Sequence, residues 1–421
     1  MILAFIIHIP LIIFLISFIR KKSKQHPLNS IYYPAVIYKI AAGIALGAIY
    51  VLYYQGGDTL LYYEDSEKLG SFCFRDWSLF VDTLFNNLPS DYSFIYAEQP
   101  RAFFFVKIVS ILNIFTFSNY WVMSAYLSLF SFAGLWRLSK VLINYYHLPS
   151  LSVAFSLFLF PSVVFWSSGL LKDSLAVGCM AYMVYYGILF VHSLRAIKWY
   201  EYIFVVVVAV VLAIIKYYYF AILLPVLFSY IFVVFLQRKI IKQKSNLVAV
   251  VLFAVVFCVF IYLATFLHPN LSLNNVVQAL YTNFITTLYA SAGKDVFVFV
   301  NFRPNFSSMI PYIPKAILIG LFRPWPGDIS GSFSTPVYIE NAVIMLLTLT
   351  STYAWFKNKF SISLSAVAVS TYVLILATLL TFASPNWGSL VRYKVGFMPF
   401  FLLLITSINP FFVYLSKKFD L

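Results

Sequence analysis

The stretch PSLSVAFSLFLFPSVVFWSSGLLKDSLAVGCMAYMVYYGILFVHSL, residues 149–194, holds two long apolar runs around one adjacent Lys172-Asp173 pair. An apolar run of about 20 residues is long enough to cross a bilayer as an α-helix. The Ser-Ser-Gly step at residues 167–169 interrupts the pattern. The stretch therefore predicts one membrane helix on each side of this break.

The composition extends this interpretation to the whole chain of 421 residues, which is 62% hydrophobic, 20% aromatic and only 10% charged. A soluble domain carries roughly a quarter charged residues. We predict an all-α, polytopic transmembrane helical bundle of about 11 helices in a single integral membrane domain, residues 1–421. The expected spans are approximately 2–19, 33–54, 120–138, 149–167, 174–194, 202–216, 218–236, 246–267, 337–356, 360–382 and 396–414.

Basic clusters between these runs predict the orientation. With the N-terminus outside and the C-terminus cytoplasmic, the inner loops hold sixteen of the 29 Lys and Arg, as the positive-inside rule requires. These clusters also explain the net charge of +15, so nucleic acid is not an expected partner. The clusters are RKKSK (20–24), RLSK (137–140), RAIK (195–198), QRKIIKQK (237–244), KNK (357–359) and SKK (416–418).

Two large loops, about 55–119 and 268–336, then fall outside. Each contains an apolar segment that is short or broken by proline, so we expect short interfacial or re-entrant helices there. The first apolar run is followed, not preceded, by its positive residues. It is therefore predicted to be a retained helix and not a cleaved signal peptide.

Positive residues on the outer side are not explained by topology. Cations at the membrane surface suit the phosphate or pyrophosphate of a lipid carrier, and arginine offers a planar fork to phosphate oxygens. The alternative is that each one snorkels to ordinary lipid phosphates. The outer cations at helix ends are Lys172, Lys216, Arg323, Arg392 and Lys394.

Outer carboxylates are the candidates for acid–base chemistry. The stretch QGGDTLLYYEDSEKL, 55–69, places Asp58 and Asp65 seven residues apart, on one helical face. They could serve as a general base or as metal ligands, and Asp58 could equally cap a helix. Asp173 fits an N-cap. Glu340 follows LFRPWPGD (321–328) at the bilayer edge, where an acid needs a partner and is a functional candidate.

The order of the motifs resembles a known family. GGD-Y-ED follows the second helix, GLLKDSLA opens a mid-chain helix, and RYK (392–394) precedes the last helix. This order resembles the Wzy-type bacterial exopolysaccharide and O-antigen polymerases, within the wider class of polyprenyl-phosphate-dependent membrane glycosyltransferases. The resemblance implies phosphate binding by Lys172 and Arg392, and acid–base or sugar contacts by Asp58 and Asp173. The family pattern has Arg-Gln in place of Lys-Asp and RYR in place of RYK.

The predicted function is glycosyl transfer at the outer face of the bacterial inner membrane, polymerising lipid-linked oligosaccharide units into capsule, O-antigen or exopolysaccharide. The expected substrate is a polyprenyl-(pyro)phosphate-linked glycan, with membrane lipid and other polysaccharide-assembly proteins as partners. No cofactor is expected, although outer carboxylates would permit a divalent cation. The candidate catalytic residues are Asp58, Asp65, Asp173 and Glu340, and the candidate phosphate-binding residues are Lys172, Lys216, Arg323, Arg392 and Lys394.

Three alternatives stay open at this point. One is a membrane glycosyltransferase that adds a single sugar from a polyprenyl phosphate, and another is a non-catalytic scaffold. The third is a transporter or flippase of lipid-linked sugar, which would need charges along a path at mid-helix. The sequence places Lys39 near the inner end of its helix, so such a path is poorly marked.

Overall fold

The computed structural model describes residues 2–23, 25–86, 93–241, 245–267, 272–331 and 334–418. The protein is 81% helical, and no strand occurs in these ranges, so the predicted all-α polytopic bundle is confirmed. Parts of two predicted basic clusters, Lys24 and residues 242–244, lie outside the described residues.

Helices account for nearly all of the described chain. In chain order the first ten are α1 Ile2–Lys22, α2 Tyr32–Ile49, α3 Asp58–Arg75, α4 Trp77–Phe85, α5 Pro100–Phe115, α6 Tyr120–Asn144, α7 Ser150–Ala154, α8 Pro161–Trp166, α9 Lys172–His192 and α10 Trp199–Ile215. The others are α11 Tyr217–Leu236, α12 Asn246–Leu267, α13 Leu273–Ala290, α14 Phe306–Met309, α15 Ile313–Phe322, α16 Ser334–Asn358, α17 Leu364–Ala383, α18 Trp387–Tyr393, α19 Met398–Ser407 and α20 Pro410–Lys418.

The chain divides into two compact units. Unit 1 comprises Met1–His147, Leu157–Tyr186 and Ile197–Phe220. Unit 2 comprises Leu148–Ser156, Gly187–Ala196 and Ala221–Leu421. Each unit contains its own group of predicted site residues.

Eight helices in the described part of the chain are long and apolar enough to span a membrane, or nine if α18 and α19 form one bent span. Three of the predicted eleven spans differ from expectation. The run 149–167 is split between α7 and α8 because Pro161, which lacks an N–H, begins a new helix. The run 202–216 forms a helix of only 17 residues, and 396–414 is divided between α19 and α20.

Both large loops that the sequence predicts to lie outside contain helices, as expected. The first holds α3, α4 and α5, and the second holds α13, α14 and α15. In the first loop α3 packs along α5. The second helix of unit 1 reaches this loop through a π-helical turn, Tyr50–Tyr54, and a left-handed Gln55.

A buried histidine holds the turn between α1 and α2. The Leu28 N–H donates to His26 Nδ1 over 3.0 Å, which leaves Nε2 to donate to Trp136 O or Ser139 Oγ, each 3.0 Å away. The imidazole also stacks on the Trp136 ring at 4.0 Å between centroids. Burial, with the nearby Lys140 charge, lowers the His26 pKa to about 4, so the ring is neutral in the fold.

The break between α8 and α9 is pressed directly against α2. Gly169 has a φ of +76°, and its N–H donates to Ser128 Oγ over 2.8 Å. A Cβ added at Gly43 of α2 would lie 2.8 Å from the Gly169 nitrogen. Glycine at both positions therefore lets the two backbones approach and places the start of α9 beside α2.

Candidate functional site

A buried ion pair joins the start of α9 to the junction of α10 and α11. Lys216 Nζ lies 2.8 Å from Asp173 Oδ1, and the two side chains are 4% and 0% exposed. The Lys216 ammonium also donates to the Tyr218 hydroxyl over 3.0 Å. The prediction of Asp173 as an N-cap is corrected: α9 begins at Lys172, so Asp173 lies within the first turn, and its carboxylate pairs with a distant cation.

Lys172, next to this pair, contacts the first of the two large loops, 55–119. Its Nζ lies 5.2 Å from the ring centroid of Tyr62 in α3, one turn after Asp58. The Tyr62 ring in turn stacks on Tyr96 at 4.5 Å. An ammonium over an aromatic face is stabilised by the ring quadrupole. Unit 1 therefore brings Lys172 to the same helix that begins with Asp58.

The two acids of α3 have different surroundings. Asp58 is half-exposed and is the first residue of the helix, whose N-cap is Gly57, so the carboxylate faces the positive end of the helix dipole but is not the cap. Asp65 is buried. Its two oxygens accept the backbone N–H groups of Ile95 and Tyr96 at 3.0 and 2.9 Å. Asp65 thus fastens the loop to α3, and Asp58 is the more accessible carboxylate.

In unit 2 an ion pair between two residues of the LFRPWPGD turn, 321–328, holds the turn together. The guanidinium of Arg323 donates to both oxygens of Asp328, with Nε 2.9 Å from Oδ2, and the Trp325 N–H donates to Oδ2 over 2.7 Å. The guanidinium also lies 5.0 Å from the Trp387 ring centroid. The planar fork predicted for phosphate is therefore directed at a carboxylate of the same turn.

The remaining unit 2 candidates surround this turn. Lys394 is 4% exposed, and its ammonium donates to the Arg323 carbonyl. Glu340 lies near enough to interact electrostatically with Lys394. Arg392, at the end of α18, is 8% exposed. The structure thus brings Arg323, Glu340 and Lys394 together, which the sequence did not predict.

The predicted residues thus form two clusters, one in each unit. Unit 1 holds Asp58, Asp65, Lys172, Asp173 and Lys216, and unit 2 holds Glu340, Arg323, Arg392 and Lys394. Among the residues that the structure describes, no three His, Cys, Asp or Glu side chains are grouped so that they could hold a metal ion.

No protein-family model matches the chain, and neither a curated protein nor a solved structure matches it. The resemblance to Wzy-type polymerases accordingly rests on the short motifs alone.

The sequence analysis did not predict the surroundings of Lys39. It is 2% exposed in the span Asn29–Tyr54, roughly 15 Å along the helix from its start. Its ammonium donates to Ser167 Oγ at the α8–α9 break. Within the described chain no carboxylate lies within ion-pair distance of it. The side chain of Lys39 is therefore buried within unit 1 and does not lie at a solvated helix end.

The sequence contained a signal for this position. Lys39, Gly43 and Gly47 recur at four-residue intervals and so share one helical face. Small residues at this spacing mark a face that packs closely on other membrane helices. A lysine on that face is directed into protein and away from lipid, and an ionisable residue inside a span is a functional candidate by default.

Proposed function

We propose that the protein transfers a sugar from a polyprenyl-(pyro)phosphate carrier to an acceptor hydroxyl at the outer face of the bacterial inner membrane. The preferred form of this activity is polymerisation of lipid-linked repeat units, with the N-terminus outside and the C-terminus cytoplasmic. The observation that supports it is the position of Lys172 over Tyr62, one turn after Asp58. This end of unit 1 offers both a cation for a phosphate and a half-exposed carboxylate.

In the proposed step the acceptor oxygen attacks the anomeric carbon. The bond from that carbon to the phosphate oxygen breaks, and the phosphate leaves with the electron pair on its carrier lipid. The hydroxyl proton passes to the Asp58 carboxylate, which acts as general base. The Lys172 ammonium stabilises the negative charge that develops on the leaving phosphate, which requires no metal ion.

The Asp173–Lys216 pair supports this arrangement indirectly. Because Lys216 lies 2.8 Å from Asp173, the acid next to Lys172 in the chain has its own counter-ion. The pair also ties the first turn of α9 to the α10–α11 junction. We propose that Asp173 and Lys216 position Lys172, whereas Asp58 and Lys172 contact the substrate.

The test is the lipid-linked glycan profile of a deletion strain complemented with single variants. Asp58→Asn and Lys172→Gln should each abolish polymer while protein level is maintained, and lipid-linked single repeat units should accumulate. Glu64→Gln, an exposed acid in the same helix as Asp58, is the matched control and should leave polymer unchanged. Normal polymer in both site variants would refute the assignment, and loss of one sugar from the repeat unit would indicate single-addition transfer instead.

A second candidate, a flippase of lipid-linked sugar, is favoured by Lys39. A buried lysine at mid-span beside a helix break is a feature of transport paths through membranes. Under this alternative, Lys39→Met would leave complete repeat units on the cytoplasmic leaflet, where a periplasmic glycosidase cannot reach them. Under the transferase proposal, the accumulated units in the Asp58→Asn strain are accessible to the glycosidase.

A further inference from the structure

A basic cavity opens between the C-terminal end of α1 and the start of α2, and none of its lining residues takes part in the proposed reaction. Its volume is about 310 Å³, and it is lined by Ser17, Arg20, Lys21, Asn29 and Tyr33. Two cations, two hydroxyls and one amide give it donors in excess of acceptors. A wall of this kind is complementary to an anion with several oxygens.

The guanidinium of Arg20 is held in place within this wall. It lies 4.3 Å from the ring centroid of Tyr33, and its Nε lies 3.5 Å from Asn29 Oδ1. Stacking on an aromatic ring orients the planar group and leaves its remaining N–H donors directed sideways. Arg20 is half-buried, whereas Lys21 is exposed. The cavity therefore has one oriented, half-buried cation and one exposed cation.

The helices around the cavity contain no acid that could neutralise these charges. The chain has no Asp or Glu before Asp58, and α6, which packs on α1, has none between Tyr120 and Asn144. In the described part of the chain no carboxylate lies within ion-pair distance of Arg20 or Lys21. Arg137 and Lys140 of α6 add further positive charge. The counter-ion must therefore come from outside these helices.

We infer that this cavity binds the phosphate group of an anionic phospholipid. Arg20 and Lys21 would pair with the phosphate oxygens, and the Tyr33 and Ser17 hydroxyls would donate to the same headgroup. The lipid source is favoured over free phosphate by the surface that leads away from the cavity. There α1 exposes Phe14 at 60% and Phe18 at 42%, which suits contact with the acyl chains of the same molecule.

The experiment is native mass spectrometry of the purified full-length protein in a neutral detergent, titrated with phosphatidylglycerol or with phosphatidylcholine. One phosphatidylglycerol should bind in preference to phosphatidylcholine. Each cation near an anionic headgroup contributes about fivefold in affinity, so Arg20→Gln with Lys21→Gln should weaken phosphatidylglycerol binding about 25-fold. Lys22→Gln is the matched control, because Lys22 lies over Phe18 and does not line the cavity.

Further measurements distinguish the effect of the charges, the effect of protein stability and the source of the bound phosphate. The exchange Arg20→Lys with Lys21→Arg keeps both charges and should retain the lipid preference within a few-fold. If the double Gln variant melts early in phosphatidylcholine micelles, Lys21→Gln alone replaces it, with a loss of about fivefold expected. Equal binding of the two lipids, or an equal loss in Lys22→Gln, would overturn the site. Displacement of the lipid by submillimolar inorganic phosphate would overturn the lipid assignment.

Discussion

Removing one partner of the Asp173–Lys216 pair should destabilise unit 1 far more than removing both. At 2.8 Å and an effective dielectric constant of about 20, the attraction is about 6 kcal/mol, and it opposes the cost of burying two charges. With exposures of 4% and 0%, solvent screens neither group. Asp173→Leu or Lys216→Met alone would leave a buried charge without its ion-pair partner and should cost about 3–5 kcal/mol. The double variant should be close to wild type in stability.

Cys179 provides a reporter for this measurement. It is 1% exposed and lies in the same helix as Asp173, whereas Cys258 is exposed and Cys73 is half-exposed. In a Cys73→Ser, Cys258→Ser background, the thiol of Cys179 reacts with a maleimide dye only when α9 loosens. The temperature at which Cys179 becomes labelled should be lower than wild type in both single variants and close to wild type in the double variant. Additive losses in the double variant would refute the coupling.

The same double variant also separates two roles for Lys216. If Lys216 acts only by holding the first turn of α9 and so Lys172 in place, a double variant whose apolar side chains restore that packing should keep polymer synthesis. If Lys216 binds substrate phosphate, as the sequence predicted, the double variant should be stable but inactive. A variant that is stable and retains full activity would exclude both Asp173 and Lys216 from the list of residues that contact the substrate.

Three further predictions follow from buried polar groups and close contacts. Asp65→Ala leaves two backbone N–H groups without their acceptor and should lower the melting temperature, at about 1–3 kcal/mol for each group, whereas Glu67→Ala, at an exposed position, should not. Because burial lowers the His26 pKa to about 4, unfolding takes up a proton below the ordinary pKa of 6.5. Stability is therefore full above pH 6.5 and falls from there towards pH 4, and His26→Gln should remove this slope in a pH series of melting curves. Gly43→Ala would drive a Cβ into the Ser128 hydroxyl and to 2.8 Å from the Gly169 nitrogen, so the melting temperature should fall, whereas Gly187→Ala, whose added Cβ would have its nearest neighbour at 3.7 Å, should be tolerated.

The sequence predicts the helices of this protein because each apolar run is long enough to identify its own span. It does not predict where a run breaks: Pro161 divides one run after a π-helical turn, and periodicity alone does not show this. The local sequence pattern also does not show which charged side chains pair across helices. Asp173 and Lys216 are separated by two helices' length of chain, so the sequence allowed a cap for one and a phosphate ligand for the other.

Lys39 shows a second limit of prediction from the sequence. A hydropathy reading locates a lysine only by its distance from the loop, and it does not show which face the side chain occupies. The four-residue spacing to Gly43 and Gly47 contains that information, because small residues occur where helices approach closely. The orientation of an intramembrane charge is therefore better predicted from its neighbours on the helical face than from its position along the span.

The α8–α9 break has a consequence for how Lys172 meets a ligand. Unwound backbone that is buried among membrane helices persists only where other groups satisfy its polar atoms. Here Ser128 accepts the Gly169 N–H, and the Ser174 hydroxyl lies 2.8 Å from the Gly169 carbonyl and 2.7 Å from that of Leu171. Residues Ser167 and Ser168 donate back to the preceding turn. Because side chains of the protein itself satisfy this segment, it needs no ligand to hold its conformation. The start of α9 is thus already formed in the free protein, and a phosphate arriving at Lys172 would not have to bear the entropy cost of ordering it.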